Sequence, residues 1–72
     1  MKLRTLDRTG HTEVDLDVEP MIKELEKEMN RPGRVVIAQE PGKEPIYLGK
    51  PEQVRDLNPA TEITVTPQLA GG

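Results

Sequence analysis

The last two residues of the 72-residue chain, Gly71 and Gly72, carry the group best suited to chemistry, the terminal carboxylate. A free carboxylate is a poor electrophile, and adenylation by ATP would activate it. The reacting carbon would then have to lie within near-attack distance of the α-phosphate in a narrow enzyme cleft. Glycines suit such a terminus, because they leave a channel unobstructed and adopt φ and ψ values closed to other residues. We therefore expect Gly72 to supply the carboxylate and Gly71 the passage behind it.

The residues before the diglycine form a short tail without charged side chains, PQLAGG at positions 67–72. Such a tail can enter a confined site at low desolvation cost, and it can also bind by backbone pairing. We expect Ala70 and Leu69 to determine how the tail is seated, with Leu69 as the last apolar anchor. The competing interpretation is that a glycine-rich chain end is incidental. Whether the Gly-Gly end is encoded or exposed by processing stays open.

The remaining polar side chains do not suggest an active site. The chain has no cysteine, which excludes disulfides, thiolate metal sites and a cysteine nucleophile. The single histidine, His11, has no nucleophile or second histidine near it in sequence. Asp15, Asp17 and Glu19 alternate with apolar residues, which is more typical of a solvated face than of a cation site. The sequence therefore predicts a protein that is not an enzyme and that holds no cofactor and no metal.

Composition narrows the class of protein further. The net charge is −3, and Lys and Arg are spread along the chain, which argues against nucleic-acid binding. No apolar run approaches the ~20 residues of a membrane helix, and no signal-peptide pattern is present. Tyr47 is the single aromatic residue, so the core must come from Leu, Ile, Val and Met. The expectation is a cytoplasmic monomer that binds neither nucleic acid nor a membrane.

The pattern of apolar residues predicts five strands and one helix. Strands are expected over MKLRTL (1–6), HTEVDLDV (11–18), RVVIAQ (34–39), IYLG (46–49) and TEITVT (61–66). The segment PMIKELEKEM (20–29) has the helical period, and Asn30, Pro32 and Gly33 end it. The segment KPEQVRDLNPAT (50–61) is expected to be irregular, with Val54 and Leu57 as anchors into the core. The residues expected to be buried together are Val14, Leu16, Val18, Ile22, Leu25, Met29, Ile37, Ile63 and Val65.

This order of elements predicts an α+β fold of the β-grasp type, a mixed sheet of four to five strands packed on one helix. The helix must cover one face of the sheet to bury its apolar stripe. The connection through it is long enough for the last strand to lie beside the first and parallel to it. Residues 1–66 are expected to form this domain and residues 67–72 a flexible tail.

Two segments carry a resemblance to known proteins. TGHTEVDLDVEP (9–20) resembles the second-strand region of the ubiquitin family, and VRDLNPATEITVTPQLAGG (54–72) is similar to the ends of small archaeal modifiers and of molybdopterin and thiamine sulfur carriers. Ala70 stands where ubiquitin has an arginine, and the turn before the last strand is NPAT rather than the usual acidic-glycine pair. The resemblance implies recognition by the sheet face opposite the helix, for which we expect Arg4, Val36, Thr64 and Thr66 to face outward.

The resemblance implies partners as well, and it leaves two chemistries open. In a modifier, an ATP-dependent activating enzyme adenylates Gly72, and conjugating enzymes pass it to lysines of target proteins as an isopeptide bond. In a sulfur carrier, the adenylate becomes a thiocarboxylate that donates sulfur to a cofactor or tRNA. The ubiquitin-like opening favours the modifier, which is the preferred interpretation. The third alternative is a non-catalytic interaction module of the same fold.

Overall fold

The computed structural model describes residues 1–7 and 10–67, which form a five-stranded mixed sheet with one α-helix on one face. The strands are β1 (Lys2–Asp7), β2 (Gly10–Asp15), β3 (Arg34–Gln39), β4 (Ile46–Tyr47) and β5 (Glu62–Pro67). The helix α1 spans Val18–Met29, and a 3-10 helix spans Pro51–Asp56. β2 is shorter than predicted, because Leu16 and Asp17 already lead into α1.

The strand order in the sheet is β2-β1-β5-β3-β4. β1 and β5 pair in parallel at its centre, and the other neighbouring pairs are antiparallel. The prediction of an α+β sheet with the last strand beside the first is confirmed. The arrangement is consistent with a β-grasp fold.

The helix forms where the apolar residues follow a helical period. Met21, Ile22 and Leu25 lie on one stripe of α1, and all three are buried. Asn30 caps the end of the helix, and Gly33 follows with a φ of +76°. This left-handed conformation is readily accessible to glycine. It turns the chain into β3.

The core lies between α1 and the sheet. Its buried apolar side chains are Leu3, Met21, Ile22, Leu25, Val36, Ala38, Leu48, Val54, Ile63 and Val65. The predicted core positions Ile22, Leu25, Ile63 and Val65 are therefore confirmed. Leu16, Val18 and Met29 pack against the core while remaining partly exposed.

Two of the predicted core positions are wrong. Val14 is 47% exposed, because it lies on β2, an edge strand whose residues are all exposed. Ile37 is only partly buried and lies on the sheet face away from α1. The cause is the pairing of β3 with β5, in which Val36 and Ala38 lie opposite the buried Val65 and Ile63 and therefore share their face.

The segment predicted to be irregular contains the 3-10 helix. Val54 is fully buried and Leu57 is partly buried against the core, so both act as the predicted anchors. Gln53 Oε1 accepts hydrogen bonds from the backbone N–H groups of Gly49 (2.7 Å) and Lys50 (2.9 Å). These bonds hold the entry of the 3-10 helix and so set the path of the chain back towards β5.

Candidate functional site

The described structure ends at Pro67, the exposed last residue of the central strand β5. Pro67 lies opposite Arg34, the first residue of β3. The predicted domain boundary at residue 66 therefore falls one residue before the end of this strand. Leu69, Ala70, Gly71 and Gly72 lie outside the described residues, so the roles predicted for them stay predictions.

A row of side chains crosses all five strands on the sheet face opposite α1, which we term the outer face. Directly opposed residues in a sheet share a face, and the pairing runs Glu13–Arg4–Thr64–Ile37–Tyr47. Arg4 and Thr64, two of the residues predicted to form a partner-binding face, are neighbours in this row and are partly exposed. The structure therefore brings them together as the sequence predicted.

The orientation predicted for β3 is wrong by one residue. Val36 was expected to face outward, but it is 4% exposed and belongs to the core under α1. Val35 and Ile37 lie on the outer face in its place, and Val35 opposes the partly exposed Thr66. The run RVVIAQ is apolar on both alternating faces, so the sequence gives no orientation to this strand. The alternation of Ile63 and Val65 on β5 supplies it once the two strands are paired.

One half of the outer face is charged. Arg4 Nε lies 2.9 Å from Glu13 Oε1, and Lys2 Nζ lies 4.0 Å from Glu62 Oε1. Ion pairs this exposed contribute only about 0–1 kcal/mol each to stability. Their main effect is on the surface, where they place charges of both signs along β1 and its neighbours.

The other half of the outer face is apolar. Val35 and Ile37 of β3 are partly exposed there, and Tyr47 of β4 is 75% exposed beside Ile37. Aromatic residues are enriched at protein interfaces, because a rigid ring buries a large area at low entropic cost. Ile37 and Tyr47 were not predicted as part of the site. The available signal was the position of the only aromatic residue of the chain on an exposed edge strand.

The remaining candidate side chains lie apart. His11, Asp15 and Asp17 are exposed, and Glu19 pairs with Arg55 of the 3-10 helix, with 3.0 Å between Glu19 Oε1 and Arg55 Nη2. Within residues 1–7 and 10–67 no group of three or more His, Cys, Asp or Glu side chains is arranged to hold a metal ion. Over the same ranges no helix is long and apolar enough to cross a membrane.

Comparison of the chain with protein-family models, with curated proteins and with solved structures gives no match.

Proposed function

We propose that this chain is a ubiquitin-like modifier that acts through the carboxylate of Gly72. The observation that carries the proposal is the position of the diglycine. It begins four residues after Pro67, which ends the central, parallel-paired strand of a β-grasp-like sheet. A tail that continues from a central strand has a fixed origin on the folded body. An enzyme can therefore recognise the body and take up the tail at the same time.

The proposed reaction has four displacements. A carboxylate oxygen of Gly72 attacks the α-phosphate of ATP, and pyrophosphate leaves. A cysteine thiolate of the activating enzyme then attacks the acyl carbon and displaces AMP. A cysteine thiolate of a conjugating enzyme next attacks this thioester and displaces the thiolate of the activating enzyme. A lysine amine of the target finally displaces the thiolate of the conjugating enzyme, loses a proton and forms the isopeptide bond. This chain supplies the carboxylate and the recognition surface, and all other reacting groups belong to its partners.

The second candidate is a sulfur carrier, which shares the adenylation step. The neutral Ala70 before the diglycine favours it, because the end of the chain is similar to those of known carriers. In this case hydrosulfide attacks the acyl carbon of the adenylate, AMP leaves, the thioacid loses its proton, and Gly72 ends as a thiocarboxylate. Mass spectrometry of the protein from its native cells separates the candidates. A branched lysine peptide carrying Gly71-Gly72 supports the modifier, and a terminus with one oxygen replaced by sulfur supports the carrier.

The first variant to test lacks Gly72. Its carboxylate falls short by one residue, up to about 3.6 Å, which is more than near-attack geometry tolerates. We expect ATP–pyrophosphate exchange with the activating enzyme purified from the same cells to be abolished, while a thermal melt is unchanged.

A matched pair of substitutions tests the narrow passage. Gly71→Val adds a β-branched side chain where the channel should be tight and should reduce the exchange rate at least about a hundredfold. Gln68→Val adds the same side chain three residues upstream and should leave most of the rate. If the Gly72 deletion exchanges as fast as the parent, the interaction-module interpretation replaces the proposal.

A further inference from the structure

The edge strand β2 has backbone groups that are not used by the sheet. Met1 and Leu16 exchange both of their backbone hydrogen bonds, with Leu16 N–H donating to Met1 O (2.8 Å) and the Met1 amino group donating to Leu16 O (3.0 Å). Hydrogen-bonded and non-hydrogen-bonded pairs alternate along an antiparallel ladder. Thr12 and Val14 are therefore bonded to β1, whereas the N–H and C=O groups of the residues between and beside them point away from it. The residues of this open edge are His11, Glu13 and Asp15.

An apolar groove lies beside this edge, on the face of β2 that is turned towards α1. Its volume is about 400 Å³, and its walls are Leu3, Thr5, Thr12, Val14, Leu16 and Glu24. Val14 is 47% exposed, and it is one of the large apolar side chains that the core leaves uncovered. A strand added along β2 would place every second side chain in this groove.

The charges around the edge are predominantly acidic. Glu13, Asp15 and Asp17 are exposed, and Glu24 forms part of the groove wall. Glu13 is paired with Arg4, and Glu24 is paired with Lys27 at 3.6 Å. Asp15 and Asp17 form no salt bridge with another residue of the described ranges.

The negative charge of this edge distinguishes between two possible binding partners, a second copy of the chain and a basic segment of another protein. Soluble proteins often protect an open edge with charged residues that repel copies of the same edge. A second copy would bring the carboxylates of two β2 strands together, whereas a basic segment would neutralise them. The observations therefore favour a positively charged partner strand over self-association.

We propose that β2 is a docking site for an extended, basic segment of a partner protein. The segment adds to the sheet as a sixth strand, bonded to the backbone of His11, Glu13 and Asp15. Its alternate apolar side chains lie beside Thr12 and Val14 in the groove, and its Lys or Arg side chains lie beside Glu13 and Asp15. This site lies on the edge of the sheet away from β5 and does not depend on the tail.

Three capped synthetic peptides test the proposal against the full-length protein by NMR titration and amide hydrogen exchange. The peptide KVKIKVK has the required alternation and charge, KKVIVKK has the same composition without the alternation, and EVEIEVE has the alternation with opposite charge. We expect KVKIKVK to bind, and its complex to slow amide exchange at His11, Glu13 and Asp15. KKVIVKK should bind at least about tenfold more weakly, and EVEIEVE should produce no shifts on β2.

Variants of the protein give matched controls. Val14→Ser removes an exposed apolar group from the groove and should lower the affinity for KVKIKVK at least about tenfold. Ile46→Ser makes a similar change on the opposite edge strand, where Ile46 is 44% exposed, and should leave the affinity unchanged. Asp15→Asn should lower the affinity for KVKIKVK about twofold to fivefold at low salt, as expected for the loss of one exposed ion pair.

Several results of these titrations would contradict the proposed docking site. Equal binding of KVKIKVK and KKVIVKK, unchanged affinity in Val14→Ser, or protection confined to β4 would each overturn the proposal. If EVEIEVE binds as tightly as KVKIKVK, the assignment of a basic partner is overturned. The Gly72 deletion should bind KVKIKVK like the parent, so this test and the test of the tail can fail independently.

Discussion

At the scale of single residues, Thr61 departs from the usual rule for buried polar groups. It is fully buried, and no described residue forms a hydrogen bond with its Oγ1. Its backbone is well bonded, since its N–H donates to Asn58 O at 2.9 Å and its carbonyl accepts from Lys2 N at 3.3 Å. The backbone bonds therefore hold this residue in place without the hydroxyl, and we expect the unbonded hydroxyl to lower the stability of the fold.

Two substitutions of Thr61 should distinguish the effect of its hydroxyl on stability from the effect of its methyl group. Thr61→Val keeps the shape and removes an unbonded hydroxyl, so we expect the free energy of unfolding to rise by about 1 kcal/mol. Thr61→Ser keeps the hydroxyl and removes the methyl group, so we expect a loss of about 1 kcal/mol. Urea unfolding of the two variants beside the parent is the measurement. A loss of stability in Thr61→Val would show that the hydroxyl has a stabilising partner.

The face on which a side chain lies could be predicted only where polar and apolar residues alternate along its strand. Ile63 and Val65 alternate with the polar residues Glu62, Thr64 and Thr66, so their inward orientation followed from the sequence. Val36 and Ile37 lie in an apolar run, and their orientation became definite only when β3 was paired with β5. Long-range pairing of this kind is absent from any local pattern.

At the scale of elements, α1 stabilises the fold through one stripe, and β2 has no comparable role. Leu25 is fully buried in this stripe. Leu25→Ala should lower the free energy of unfolding by about 2–5 kcal/mol, since it leaves a cavity in a small core. Val14→Ala on exposed β2 should cost less than about 1 kcal/mol. Chemical denaturation compares the two, and equal losses would contradict the assignment of the core to the α1 side of the central strands.

The two adjacent residues of β4 permit a test of the outer face. Tyr47 lies on the outer face and Ile46 on the face turned towards α1, and both are exposed. If the activating enzyme recognises the outer face, Tyr47→Ser should raise its KM for this protein about fivefold or more, as loss of an interface aromatic would. Ile46→Ser should leave the KM near the parent value. The same KM for both variants would indicate recognition elsewhere.

The helices and strands were predicted better than the faces of the sheet on which their side chains lie. Helix α1 and strand β5 have periods that are visible over six or more residues, and β3 is visible as a continuous apolar, β-branched run. The two-residue strand β4 depends on its pairing with β3, which the bond from Leu48 N–H to Val36 O at 2.9 Å continues and which joins distant parts of the chain. The acidic edge and groove at β2 were missed because the alternation of HTEVDLDV indicated a half-buried strand, whereas the position of β2 in the sheet leaves its apolar side uncovered.

At the scale of the whole molecule, the sheet is two strand pairs joined by β5. β1 and β2 form one antiparallel pair, β3 and β4 form the other, and β5 lies between β1 and β3. The overall topology could be predicted because few arrangements bury one helical stripe with strands in this order.

The central position of β5 has a consequence for how the molecule is made. About sixty residues separate β1 from β5 along the chain, and forming such distant contacts slows folding. During synthesis, the two strand pairs leave the ribosome first, with no shared backbone bonds and a helix that has no complete surface to cover. Folding can finish only after Ile63 and Val65 are available to pair with β1 and β3, so a released chain truncated before Glu62 should be open to proteolysis along its whole length.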